Sequence, residues 1–343
     1  MNNSEKNSII REEADETIEQ ARSKNILAKR LAEAEKYYKP KKVSLWERIK
    51  GHKVFYLMLF PCLLSYFIFS YIPMSGLVLA FKEYGFNTGM FGGKWVALKY
   101  FKEFFNDPRC IDYFRNTLVV SCLKIFVYLP FPIILALMFN NIKRDRARGV
   151  FQSISYLPYF LSWVIVIGLI QRMLAPNDGL INQLIASMGG DGSRFFLNER
   201  GTFYPLVFGS YLWKNIGWDS IIYFSAIMGI APSLYEAAAI DGANHWQQTR
   251  HITLPGISGT ILILFILSLG GILTSGFDQI FLLKMPGNYK VSETIDTYVV
   301  RVGLQGGQFG YGTAVGLIQG VIGLLATVGV NQLSKKISEN SLW

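Results

Sequence analysis

Tyr211, Trp213, Lys214, Asn215, Trp218, Asp219 and Tyr223 lie in one otherwise apolar run, 204–229, which places rings and hydrogen-bonding groups together in greasy surroundings. Flat aromatic faces beside amine, amide and carboxylate groups suit a polyhydroxylated ligand, whose hydroxyl rim and C–H faces need both kinds of contact. A structural reading stands beside this one: Lys214 and Asp219, five apart, satisfy each other while the Trp and Tyr rings form an interface belt. Thr274, Ser275 and Asp278 make a second polar stretch, in the run 257–280, and Gln319 adds a polar group to a third run.

A different chemistry is written into the polar segment 230–256, between two long apolar runs. Ser233 stands three residues before Glu236, so Ser-Leu-Tyr-Glu reads as a capping box that opens a short helix after Pro232. Gly242 fits the stop of that helix, where a positive φ is wanted. Asn244, with Gln247 three residues on, reads as the cap of a second short helix that Pro255 ends. Glu236 and Asp241 can take charge-assisted bonds, and Ala237, Ala238 and Ala239 permit close backbone approach. Such a helix–bend–helix is either punctuation between apolar runs or a docking hook.

Other chemistries find no residues to perform them. The chain has no Gly-x-x-x-x-Gly-Lys-Ser/Thr phosphate cradle, so it is expected to bind no nucleotide itself. His52, His245 and His251 are not spaced as metal ligands, and no catalytic constellation is readable. Cys62, Cys110 and Cys122 suggest neither a disulfide framework nor a zinc site. A net charge of +10 would suit nucleic acid only with a basic, base-stacking groove, and here the aromatics sit inside apolar runs.

The elements that must position these groups are membrane spans. At 343 residues, 51% hydrophobic and 17% charged, the chain is richer in apolar side chains than a soluble domain. Six segments approach the ~20 apolar residues that cross a bilayer: 54–80, 117–140, 150–174, 204–229, 257–280 and 312–333. The expected fold is all-α, with six transmembrane helices and both termini on one side. The short loop Lys143-Arg144-Asp145-Arg146-Ala147-Arg148 marks that side as cytoplasmic, together with 230–256. Before the spans come a charged tail, 1–42, read as a solvated helix or a disordered extension, and an interfacial helix over 43–53. The region 54–335 is the membrane domain, and 336–343 is a cytoplasmic tail. Within the spans, Lys124 and Arg172 are expected to snorkel outward.

Glu236-Ala237-Ala238, a glycine six residues after the Glu, nine further residues and then Ile252-x-Leu254-Pro255 resemble the signature loop of the membrane subunits of binding-protein-dependent ABC importers. Trp95-Val96-Ala97-Leu98, with Ala97 where sugar permeases usually carry glycine, Asn116-Thr117 and Leu157-Pro158 extend the likeness, which covers 43–335. It is greatest to maltose or multiple-sugar permeases, and among these to lipoprotein-type oligosaccharide permeases of Gram-positive bacteria. The resemblance implies the type I importer fold in the cell membrane and a role as a carbohydrate permease. It also implies a second homologous permease subunit, two cytoplasmic ATPase subunits that hold ATP and Mg, and an extracellular substrate-binding lipoprotein. Ser233, Tyr235, Glu236, Ala237, Ala238, Asp241, Gly242 and Ala243 would form the ATPase-coupling helix. Tyr211, Lys214, Asn215 and Trp218 fall where maltose-type permeases contact substrate, although the side chains differ at all four, and Thr274 and Asp278 face the same region. A secondary transporter using Asp219 and Asp278 as an ion site is the competing reading.

Overall fold

The helix Arg200–Met228, about 43 Å long at 1.5 Å per residue, is the axis of the fold. Its buried residues Phe203, Val207, Ser210, Lys214, Gly217, Ser220, Tyr223 and Ile227 recur every three or four positions, so one stripe runs along almost its whole length. The computed structural model describes residues 29–30, 50–85, 87 and 89–337. The charged tail 1–42 apart from 29–30, residues 43–49 of the expected interfacial helix, and 338–343 lie outside the described residues. Two compact units meet in sequence at Pro73 and Met74.

The first unit contains α1, Lys53–Tyr66, and a π turn, Phe67–Tyr71, with no buried side chain in either. The second holds α2 (Lys99–Phe105), α3 (Cys110–Asn140), α4 (Asp145–Phe160), α5 (Trp163–Met173), α6 (Leu180–Ser187) and α7 (Arg200–Met228). These are followed by α8 (Pro232–Ile240), α9 (His245–Gly270), α10 (Phe277–Leu283), α11 (Ile295–Val299) and α12 (Phe309–Ile337). Among the described residues the remaining order consists of short helical turns and two isolated β-bridges.

Lys53–Phe81, α3, α9 and Phe309–Gln332 are each long and apolar enough to cross a bilayer. The pairs α4/α5 and α7/α8 also qualify when each is taken as one bent span, at 93° and 68°, which gives four to six candidate spans. The single run expected at 150–174 is therefore broken. Pro158 lies in a 3-10 turn, Leu157–Phe160, and Leu161 is extended; Ser162 then restarts the helix by accepting from the Ile165 N–H at 3.4 Å.

The run expected at 257–280 divides as well. α9 stops at Gly270, and α10 begins only after Gly276, whose φ of +80° belongs to the left-handed region. Thr274 thus stands in a loop and Asp278 in the first turn of α10, rather than on one span. At the other end of α9 the difference is opposite in sense. The helix does not stop at Pro255 but starts at His245 and runs through a π turn, Thr249–Thr253, which absorbs the proline's missing N–H.

Three apolar clusters bind the second unit. Ala136, Tyr223, Ile227 and Ile257 close the end nearest α8, and Val120, Ile167, Phe203, Val207, Ile280 and Leu283 close the opposite half of α7. Phe104, Tyr113, Ile295, Tyr298, Tyr311 and Val315 join α2, α3, α11 and α12, with the Tyr113 and Tyr298 rings stacked 4.1 Å apart. Polar staples hold the non-helical backbone beside them. Asn116 Nδ2 donates to the Lys290 and Glu293 carbonyls at 3.0 Å each, and Thr117 Oγ1 accepts from the Ile295 N–H at 3.0 Å. Buried peptide groups without helical partners are thereby satisfied.

Candidate functional site

The polar groups of α7 do not converge on one cavity. Lys214, only 7% exposed, passes behind the elbow between α4 and α5, where its ammonium donates to the Tyr159 carbonyl at 2.6 Å and also to the Leu161 carbonyl. A helix that stops inside a packed bundle leaves carbonyls unpaired, and a cation is the favourable donor at that end. Trp218 lies flat on Tyr159, with centroids 4.4 Å apart and planes 2° from parallel. Asn215 Nδ2 is spent on the Tyr211 carbonyl at 2.9 Å, within α7 itself. The pairing of Lys214 with Asp219 does not form, because the elbow's carbonyls take the amine.

Tyr211 and Asp219 instead face a cavity of about 190 Å³ between α3, α7 and α9, lined also by Lys124, Tyr128, Pro132, Tyr223 and Ser268. Asp219 Oδ2 accepts from the Tyr128 hydroxyl at 2.6 Å, and the Tyr128 and Tyr211 rings meet edge to face at 4.9 Å. Lys124 does not snorkel outward. Its amine donates to the Ser275 carbonyl at 2.6 Å and stands 4.9 Å over the Tyr211 ring. A π turn, Leu123–Val127, carries Lys124 and leads into Tyr128, and it forms where Pro130 interrupts the ordinary hydrogen-bond ladder. Lys124 and Tyr128, four apart on one helix face, were the signal that reading α7 alone passes over.

Beyond Ser275 the polar chain continues. Its N–H and Oγ reach Asp296 Oδ2 at 3.3 and 3.2 Å, and Gln319 Nε2 donates to Asp296 Oδ1 at 2.6 Å and to the Leu273 carbonyl at 2.7 Å. Thr274 and Asp278, both exposed, do not line the cavity. A larger space of about 410 Å³ lies between α5, α6 and α7, but among its lining side chains only Ser210 and Trp213 carry polar atoms. It is a groove for apolar matter and offers a hydroxyl-rich ligand few partners.

At the far end of α7 the polar hook has a defined shape. Pro232 occupies the first turn of α8 after Ala231, and no side chain caps it; Ser233 is exposed and is not the cap that its spacing with Glu236 predicts, because Pro232 starts the helix two residues earlier than such a cap would. The stop is a Schellman arrangement: the Gly242 N–H donates to the Ala239 carbonyl at 3.1 Å and the Ala243 N–H to the Ala238 carbonyl at 2.9 Å, with Gly242 at φ +78°. Asn244 and Gln247 form the expected capping box, at 2.9 and 2.7 Å. Tyr235 ties the hook to the start of α9 through Thr253 Oγ1 at 3.0 Å. Glu236, Ala237 and Asp241 are exposed, and so are Leu234 (53%), Ile240 (87%) and Trp246 (68%). α8 buries no side chain.

Residues 128–339 match the model of the family described as "Binding-protein-dependent transport system inner membrane component". The polygalacturonan/rhamnogalacturonan transport system permease protein YteP of Bacillus subtilis (strain 168) is 40% identical over 307 residues, 90% of this chain and 95% of that protein. The arabinooligosaccharides transport system permease protein AraP of the same strain is 30% identical, over 82% of this chain and 88% of its own length. Among solved structures, a bacterial ABC transporter involved in the import of the acidic polysaccharide alginate contains a chain that is 39% identical. It superposes with a TM-score of 0.79 over 86% of this chain and 99% of that one. A bacterial alginate ABC transporter in complex with an alginate pentasaccharide-bound periplasmic protein also contains a similar chain, with a TM-score of 0.79 at 38% identity, over 87% of this chain and 99% of that one.

Proposed function

Because the chain belongs to the family of binding-protein-dependent transport system inner membrane components, we propose that it forms half of the translocation pathway of an ATP-driven saccharide importer and takes force through the α8 hook. It is a multi-pass membrane permease and not an enzyme, and ATP hydrolysis belongs to partner subunits. The named cargoes of the relatives are saccharides, which agrees with a passage walled by tyrosines, an amine and a carboxylate. In this reading six spans cross the membrane, with both termini and the hook in the cytoplasm. A second homologous permease completes the passage, two ATPase subunits bind ATP and Mg, and an extracellular binding lipoprotein delivers the sugar.

The observation that carries the reading is the hook. A nine-residue helix, about 14 Å long, keeps none of its side chains buried; a glycine stop ends it, and a capping box opens the next helix three residues on. A short helix ended by a glycine stop, with Leu234 and Ile240 exposed beside Glu236 and Asp241, has the form of an insert for a cleft on another protein. When that partner closes, the hook moves as one body with the end of α7 and the start of α9, and the cavity changes its side of access.

The test is ATP hydrolysis by the assembled importer in proteoliposomes, stimulated by the sugar-loaded binding protein. Glu236→Lys and Gly242→Pro are expected to lower the stimulated rate at least tenfold while the permease still inserts and keeps its ATPase-independent fold. Wild-type stimulation in both variants would remove the hook from the mechanism. An accumulated sugar gradient that persists without any ATPase would instead support a secondary transporter.

A further inference from the structure

Lys124 places a cation in the cavity wall, and among the described residues no carboxylate lies within ion-pair distance of it. Asp296, on the far side of Ser275, is held there by neutral donors, the Ser275 N–H and hydroxyl and Gln319, so its charge acts on Lys124 from a distance and makes no contact with it. An ammonium carries three donors, and among the described residues only the Ser275 carbonyl accepts one, while the Tyr211 face covers another side. Holding a loop carbonyl does not require a charge, and a charge within a span costs roughly 2.5–3.5 kcal/mol on insertion scales. Another stretch of the cavity wall has the other polarity. There Asp219 keeps one carboxylate oxygen beyond its bond to Tyr128, a group that accepts hydroxyls and repels anions.

From this asymmetry we infer that Lys124 binds the carboxylate of an acidic saccharide unit, with the sugar ring against Tyr211 and its hydroxyls toward Asp219 and Tyr128. The inference rests on the saccharide passage proposed above and assigns that passage a substrate class. At about 190 Å³ the cavity is below the roughly 300–1,000 Å³ of a typical ligand pocket, which fits one sugar unit held in this subunit rather than a whole chain. Charge-assisted bonds are about twice as strong as neutral ones, so the acid form gains where its neutral ester does not.

The experiment measures equilibrium binding to the purified permease–ATPase complex without its binding protein, so that selection by the receptor does not enter. The probes are galacturonate and mannuronate trisaccharides, each paired with its fully methyl-esterified form, which has the same sugar skeleton and no charge. Wild-type protein is expected to prefer the acid over the ester at least tenfold in one pair. Lys124→Gln should lose the preference while still binding the ester, and Lys124→Arg should keep it. Equal binding of acid and ester by the wild type, binding of neither, or a preference that survives Lys124→Gln would each overturn the inference. The wild-type comparison decides even if the glutamine variant fails to assemble. Uptake of neutral sugars alone would overturn the inference and leave the importer standing, whereas failure of every saccharide to stimulate ATP hydrolysis or enter the vesicles would overturn the reading beneath it.

Discussion

At the scale of single residues, a few positions carry conformational or electrostatic loads that their neighbours do not. Ala97 adopts φ +48°, in the left-handed region that favours glycine. A side chain there costs roughly 1–2 kcal/mol, partly offset by the stiffer unfolded chain. Ala97 is exposed, so no packing is lost with its methyl. Ala97→Gly is expected to stabilise the fold by about 1 kcal/mol, read as a higher unfolding temperature in detergent; a lower one would refute the strain. Glu293 is the opposite kind of load, 4% exposed and bound to Lys284 at 2.9 Å and Arg301 at 2.5 Å. Burial pushes its carboxyl up, but the hydrogen bonds from Arg301 and Lys284 and their charges together prevail and hold it below the usual range. A depressed folded value means that the contribution is complete above the unfolded value of about 4.3 and is lost as pH falls through the folded one. Glu293→Gln, which strands the buried Lys284, is expected to cost about 3–5 kcal/mol at neutral pH, and the loss should shrink as the wild type is acidified.

At the scale of elements, the contact between α4 and α7 is a close approach of two backbones. A Cβ on Gly217 would lie 1.9 Å from the Ser155 carbonyl oxygen, so only glycine lets the two backbones approach this closely. Lys214 holds the same elbow from α7 by filling the carbonyls left open where α4 ends. Two variants test that role. Gly217→Val is expected to separate the helices and cost more than about 3 kcal/mol, since neither partner atom is a movable side-chain end. Lys214→Met should cost about 1–3 kcal/mol for the unpaired carbonyls without altering acid-over-ester selectivity. A change in that selectivity in Lys214→Met, rather than in Lys124→Gln, would move the charged contact to α7.

At the scale of the whole molecule, the proposed topology places α6 and the α8 hook on opposite sides of the membrane, separated by α7. Met188, just past α6, is 84% exposed and Ile240 is 87% exposed, so single cysteines at these positions report on sidedness. In a cysteine-free background, Met188→Cys should be labelled by an impermeant maleimide added outside intact cells, and Ile240→Cys only after the membrane is opened. Labelling of both from one side would mean that α7 does not cross. The polar chain from Asp219 through Tyr128, then from Lys124 through Ser275, Asp296 and Gln319, links α7, α3, α11 and α12. It gives movement at the hook end of α7 a route into the cavity wall.

The order of residues was sufficient to reveal what depends on local pattern. Runs of apolar residues announced the helices, because a bilayer demands length and greasiness. Gly242 and the Asn244–Gln247 spacing announced the stop and restart of the hook, because those bonds close within a few residues. The cavity wall was not legible in that way. Whether an intramembrane lysine turns inward, and which carbonyl it finds, depends on where a neighbouring helix breaks: Lys214 went to the elbow at Leu161 and Lys124 to Ser275, 53 and 151 residues away in sequence. Only the packed tertiary structure decides that, since an unpaired carbonyl attracts the nearest amine in space, and nearness in space is set by helices meeting across the bundle.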